Sequence, residues 1–249
     1  RTSPRRVAAA WPQTQEFSAL KERVSKLPDH DAQLAKKLKS GRAVLGFVLT
    51  GERNDTAPAA KAEFNFGGDG PLAFLRNYPG AVSNLPELEA AAAGLGNVGF
   101  EPELDQVIRS APLIFRHGKT LLPSLALETL RVAQGAKNFS VKSSGASGES
   151  SGGQHTGIVA LKVGQFTIPT NAGGSIWAYY TQAAPGRTIP AWKIFEASFE
   201  RSSIEGTICL IGTSATGLKD IRSTPLNPAV PGVEVHANAI EQIITQSFL

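Results

Sequence analysis

The sequence predicts an α/β or α+β fold: a mixed central sheet flanked by helices, with β-hairpins inserted between them. Three observations carry this. Apolar runs of strand length, "RAVLGFVL" at 42–49 and "TICLIG" at 207–212, alternate with segments of helical periodicity. Helix start and stop signals bracket several of those segments, with Pro or Asp in front and Gly behind. Turn residues split two further apolar stretches, 107–123 and 158–170, into hairpins.

In chain order, residues 1–40 read as helical. Phe17, Leu20, Val24 and Leu27 recur at three and four residues until Pro28 interrupts, and Asp31 is the expected cap of a second helix through Leu34 and Leu38. The run at 42–49 lacks polar alternation, so a strand buried on both faces is expected. Residues 50–69, rich in Gly, Asn and Asp, read as a loop. "PELEAAAAGLG" at 86–96 has Pro and acids in front and Gly behind, the asymmetry of helix termini. Residues 107–123 read as two strands turning at His117-Gly118-Lys119. Pro123 then opens a helix that places Leu125, Thr129 and Val132 on one face and stops at Gly135. The Ser/Gly stretch 142–155 is the one low-complexity segment and reads as a flexible loop. A hairpin bending at Gly164-Gln165, an aromatic strand at 175–181 and a short helix at 192–199 follow.

Composition excludes several classes. Hydrophobic residues make up 41% and charged residues 18% of the 249, which is globular rather than disordered. The formal net charge of +4 comes without basic runs interleaved with aromatics, so no nucleic-acid partner is expected. Cys209 is the only cysteine, which excludes an internal disulfide; inside "TICLIG" it reads as a small buried hydrophobe. His30, His117 and His155 are scattered and no zinc spacing exists, so neither a metal nor a cofactor is expected. No apolar stretch reaches the roughly 20 residues of a membrane span. The complete absence of Met leads one to expect an excised segment of a longer protein, with methionines or loops missing.

Chemistry concentrates in "TICLIGTSATGLKDIRSTPLNPAVPGVEVHANAIEQII" at 207–244. As a phosphate loop it fails, because Leu218 separates Gly217 from Lys219 and Asp220 stands where a metal-binding hydroxyl belongs. As a serine hydrolase it offers Ser214, Asp220 and His236 in the right order, but Thr216 replaces the second glycine of a nucleophile elbow. The plainer reading is a buried strand, a sharp turn, and an extended connector stiffened by Pro225, Pro228 and Pro231. A helix then carries His236 on the same apolar face as Ile240 and Ile243.

Taken whole, this stretch resembles the C-terminal signature of the second type of CHASE domain, an extracytoplasmic sensory module of bacterial receptors. "PLIFRHGKTLLPSLALETLR", "GLGNVGFEPELDQVIRSAPL" and "DAQLAKKLKSGRAVLGFVL" are similar to earlier parts of the same family, so the likeness runs from about residue 31 to 249. The family's Asp-Gly turn is Asp105-Gln106 here, so a different turn geometry is expected; the 142–155 loop reads as an insertion.

The resemblance implies residues 1–30 as a juxtamembrane helical segment and 31–249 as the sensor. It implies a periplasmic domain of an inner-membrane protein, with membrane helices of the same chain on either side. The expected output is a cytoplasmic class III adenylate or guanylate cyclase, or else a histidine or Ser/Thr kinase. The fragment itself is expected to have no catalytic residues and to sense an unidentified small molecule or environmental signal, with a homodimer as a further expectation. Because open α/β sheets hold ligands beyond the carboxyl ends of strands, the candidate ligand residues are Thr213, Ser214, Thr216, Lys219, Asp220 and Arg222, with Arg109 and Arg116. The rivals are a hydrolase built on Ser214, Asp220 and His236, and a ligand-free module that organises dimers.

Overall fold

The computed structural model describes residues 4–146, 157–182, 184–214 and 220–249. Three helices open it, α1 (Pro4–Ala9), α2 (Gln15–Ser25) and α3 (His30–Lys39). Strands β1 (Val44–Thr50), β2 (Phe64–Gly67) and β3 (Gly80–Val82) precede α4 (Pro86–Ala91) and β4 (Gly94–Asn97). Next come β5 (Ser110–Pro112), β6 (Ile114–His117), β7 (Thr120–Pro123) and α5 (Leu125–Gln134). The strands β8 (Phe139–Ser143), β9 (Ile158–Val163), β10 (Phe166–Pro169) and β11 (Ser175–Trp177) follow. The last elements are β12 (Ile221–Arg222), β13 (Val230–Pro231) and α6 (Gly232–Thr245).

The fold is α+β, and its pairing is mixed. β1 runs parallel to β4 and antiparallel to β3, while β8 runs parallel to β2 and antiparallel to β9, which pairs with β10. Three two-stranded pairs, β5–β11, β6–β7 and β12–β13, complete the strands. The larger core lies where Leu127 and Leu130 of α5 and Ile240 and Ile243 of α6 meet Phe139, Leu161, Val163 and Ile168 of the four-stranded sheet. A smaller one gathers Phe47, Leu49, Leu95, Phe115 and Leu122.

Local signals read correctly at several ends. Gly135 ends α5 as expected, at φ 66°, but the helix starts later than expected: Pro123 closes β7 and Ser124 is the cap, its hydroxyl accepting from the Leu127 N–H at 3.1 Å. Of the expected face Val132 is buried, but Leu125 and Thr129 are only half-buried, and Ala126, Leu127 and Leu130 carry most of the contact. The bends at Gly118-Lys119 and Gly164-Gln165 fall between β6 and β7 and between β9 and β10. The cap of α3 is Asp29 rather than Asp31, accepting from the Ala32 N–H at 3.0 Å.

Other expectations give way to long-range packing. β1 alternates, with Phe47 and Leu49 buried and Val48 exposed, because only one face of its sheet is covered. The presumed loop at 50–69 contains β2, whose Phe64 stacks on Phe139 of β8 at 4.5 Å between ring centroids. "GLG" does not stop a helix: α4 ends at Ala91 and Gly94-Leu95-Gly96 enters β4. A Cβ on Gly96 would lie 2.4 Å from Leu125 Cα, so the absence of a side chain is what lets α5 approach the strand. Beside it the fully buried Glu128 carboxylate accepts from the Leu95 N–H and from Arg131 Nε at 2.8 Å, while Arg131 also donates to the Ala93 and Ala136 carbonyls.

The Ser/Gly stretch begins inside the fold. Ser143 and Ser144 are buried, and the Ser144 hydroxyl accepts from the Gly157 N–H at 2.8 Å; residues 147–156 lie outside the described residues. Only Ser175–Trp177 of the aromatic strand pairs, with β5, and the expected helix at 192–199 is a 3-10 turn over Ala191–Phe195. Finally, 207–212 forms no strand. Ile208 and Leu210 pack on the core while Cys209 is exposed and Ile211 is 98% exposed. An apolar run buries alternate residues on one face whether or not its backbone finds a ladder partner, and here it finds none among the described residues.

Candidate functional site

The C-terminal signature folds into a hairpin and a helix. The proline-rich connector doubles back as a hairpin: β12 and β13 pair antiparallel, Ile221 with Pro231 and Arg222 with Val230. A tight turn closes them, with Thr224 N–H donating to the Asn227 carbonyl at 2.9 Å and Asn227 N–H to the Thr224 hydroxyl at 3.1 Å. The chain then enters α6 at Gly232, whose N–H donates to the Asp220 carbonyl at 2.8 Å. Asp220's carboxylate sits over this first residue, since a Cβ on Gly232 would lie 2.4 Å from Asp220 Oδ1. Negative charge is favoured at a helix start, and Arg222 completes an ion pair with Asp220 at 3.2 Å.

Along α6, polar side chains at intervals of four grip the segment after β11. Gln242 accepts from the Tyr179 N–H at 2.9 Å and donates to the Trp177 carbonyl at 2.8 Å. Asn238 Oδ1 accepts from the Thr181 N–H and hydroxyl, each at 3.2 Å. Arg187 forms a bidentate pair with Glu241, both contacts at 2.8 Å. Between this clamped segment, the 224–227 turn and the first turns of α6 opens a cleft of about 250 Å³. Tyr180, Thr181, Leu226, Val230, Glu234 and Asn238 line it.

His236, one turn into α6, is buried at 4% exposure beneath Phe100, with ring centroids 4.4 Å apart. Its Nε2 lies 3.4 Å from the Val98 carbonyl. Burial pulls its pKa down to about 4, only partly offset by the Val98 carbonyl and reinforced by nearby Arg222, so the ring is a neutral packing group.

The eight sequence-derived candidates do not form one site. Thr213 and Ser214 are exposed on the stretch before the hairpin; Thr216 and Lys219 lie outside the described residues. Asp220 and Arg222 neutralise each other at the α6 start. Arg109 is engaged by Glu103 at 2.6 Å and Asp105 at 2.8 Å, and the Asp105 carboxyl is held below its usual pKa chiefly by that hydrogen bond. The neighbouring Ile108 N–H does bond to the Ser223 carbonyl, which sets Arg109 one residue from the hairpin's edge. Arg116 is spent on the Leu72 and Gly118 carbonyls at 2.7 and 2.8 Å. Nor does a triad assemble, for among the described residues neither Ser214 nor Asp220 bonds to His236. Those residues also contain no group of His, Cys, Asp and Glu able to hold a metal ion. At the Asp105-Gln106 turn, Gln106 adopts φ 66°, the left-handed conformation that favours Gly.

A model of the CHASE2 domain matches residues 4–249. This chain belongs to the CHASE2 family. Neither a comparison with curated proteins nor one with solved structures gives a match. CHASE2 domains are extracellular sensory modules, so this chain is a sensor domain of signal transduction. No helix among its described residues is long and apolar enough to cross a membrane. The cleft residues Tyr180 and Glu234 were missed in sequence. The available signal was the spacing of Glu234, Asn238 and Gln242 at intervals of four along one line of this CHASE2 helix.

Proposed function

We propose that this CHASE2 domain is the periplasmic input module of an inner-membrane receptor whose cytoplasmic output is a class III nucleotide cyclase, or else a histidine or Ser/Thr kinase. The observation that carries the proposal is the family match from residue 4 to residue 249, with its C-terminal signature built into the core through α6. A signal acts here by binding two arrangements of the domain unequally, and it can shift output only by that difference in affinity. The α6 start is the place for such a signal, because the hairpin and the clamped 177–182 segment meet on it. Thr213 and Ser214, exposed beside this region, are the sequence-derived candidates best able to contribute to it.

The test is the complete reading frame expressed in membranes. Cyclase or kinase activity that changes when the β12–β13 turn and the α6 start are altered supports the proposal. A frame lacking membrane helices on both sides and any output domain refutes it.

A further inference from the structure

We propose that the free edge of β2 pairs antiparallel with β2 of a second copy of this chain, joining two four-stranded sheets into one continuous sheet.

The hydrogen-bond phase of the sheet fixes what β2 offers. It is the last strand in the order β10-β9-β8-β2, and it runs parallel to β8 with Phe64 beside Phe139 and Phe66 beside Val141. The Phe139 N–H donates to the Glu63 carbonyl at 2.9 Å, so residues 63, 65 and 67 turn their backbone groups towards β8. The N–H and C=O groups of Phe64 and Phe66 therefore point away from the sheet, and no described residue bonds to them there.

Two other edges are closed. Beside β3 the Asn54 side chain stands in for a missing strand, accepting from the Ala81 N–H at 3.1 Å and donating to the Ala81 carbonyl at 2.9 Å. On β10, Phe166 and Ile168 bond inward to Val163 and Leu161, and the outward positions include Pro169, which has no N–H to offer. β2 has neither device. Its residues Phe64–Gly67 include no proline and no charge, the usual protections of an exposed edge.

Self-complementarity sets the occupant. Pairing two β2 strands about Asn65 places Phe64 opposite the second copy's Phe66, and the reverse, so every outward N–H and C=O of these residues finds a partner. Side chains 64 and 66 share the face on which Phe64 stacks against Phe139 in the larger core. Phe66 lies on that core face yet is 58% exposed. In the pair it meets the second copy's half-buried Phe64, an aromatic cross-strand contact. Glu63 falls opposite Gly67, so the two carboxylates sit at opposite ends and do not repel. One short strand from each copy makes a small interface, and the free chain pairs transiently. The pairing itself does not rest on the receptor reading; its strengthening in the cell does, because copies confined to one membrane meet at a higher effective concentration.

Cross-linking reads such a pair. Asn65 faces its own copy at a non-hydrogen-bonded position, where Cα atoms lie about 4.5 Å apart, within disulfide reach. Cys209→Ser removes the chain's only thiol. On that background, Asn65→Cys treated with copper–phenanthroline in air should form disulfide-linked dimers roughly tenfold faster or more than Thr167→Cys, because aligned thiols outpace chance encounters. Thr167 is a fair comparison, being exposed on the closed edge of β10. Adding Phe66→Lys removes the aromatic contact and charges the edge. It should bring the Asn65→Cys rate down to that of Thr167→Cys with the unfolding midpoint kept, since Phe66 is mostly exposed. Equal rates at 65 and 167, or a rate untouched by Phe66→Lys, overturn the pairing and leave the sensor reading standing. An Asn65→Cys disulfide that joins a different polypeptide instead of a second copy, in membranes carrying the full-length protein, overturns it as well. Fast cross-linking of this chain, in a protein whose complete frame lacks membrane helices and an output domain, keeps the pairing and defeats the receptor reading.

Discussion

His236 carries a cost that appears only in acid. In the fold it charges near pH 4, against an ordinary value of 6.5, because the ring is buried under Phe100 and lies near Arg222. Between those values the unfolded chain binds a proton that the folded chain refuses, so stability is full above pH 6.5 and falls as the pH drops to 4. A gap of about 2.5 pH units corresponds to roughly 3 kcal/mol. Denaturant unfolding between pH 7 and 4 should show this slope, and His236→Gln should flatten it; an unchanged slope in the variant would place the acid sensitivity elsewhere. Gln106 pays a different cost, since a side chain at φ 66° crowds its own carbonyl. Gln106→Gly removes that strain at the expense of unfolded-state entropy. The expected net gain is about 0.5–1 kcal/mol, read as a higher denaturant midpoint with the slope unchanged.

At the scale of elements, the contact between α5 and β4 depends on having no side chain at two positions. A Cβ on Gly94 would lie 2.5 Å from Glu128 Oε1, and one on Gly96 would lie 2.4 Å from Leu125 Cα. The first neighbour is a side chain; the second is backbone and cannot swing away. Gly96→Ala must therefore push α5 off the sheet and strain the Glu128–Arg131 pair held behind it. A loss of about 2–3 kcal/mol is expected, as for overpacked cores, with weakened hydrogen-exchange protection centred on Leu95, whose N–H bonds to Glu128. Retention of wild-type stability would mean that the helix can shift without cost. The same contact explains what was legible. Gly135 and the bends at Gly118-Lys119 and Gly164-Gln165 act within a few residues of themselves, so the sequence shows them directly. Gly94 and Gly96 look like a helix stop locally, and only the approach of α5 from 30 residues away makes them strand. β2 was hidden for the same reason, because its partner β8 lies far along the chain.

For the whole molecule, the candidate site was legible in part: the signature at 207–244 located the α6 start, but Tyr180, Thr181 and Gln182 complete the cleft, and no local pattern announces that pairing. The N-terminal segment poses the opposite case, local structure with little tertiary support. α2 and α3 bury no residue, and neither core cluster includes a residue before Leu45. α1 and α2 mainly satisfy each other, through Trp11 against Phe17 at 5.8 Å and Arg5 donating to the Leu27 carbonyl at 2.8 and 3.0 Å. Truncation before Asp29, which keeps the α3 cap, therefore uncovers no core side chain. The loss should stay below about 1 kcal/mol, a fall in unfolding midpoint of no more than roughly 2–4 °C for a domain of this size. A fall of roughly 10 °C or more would show instead that the N-terminal helices are an integral layer of the sensor, and would move its boundary back to the start of the family match at residue 4.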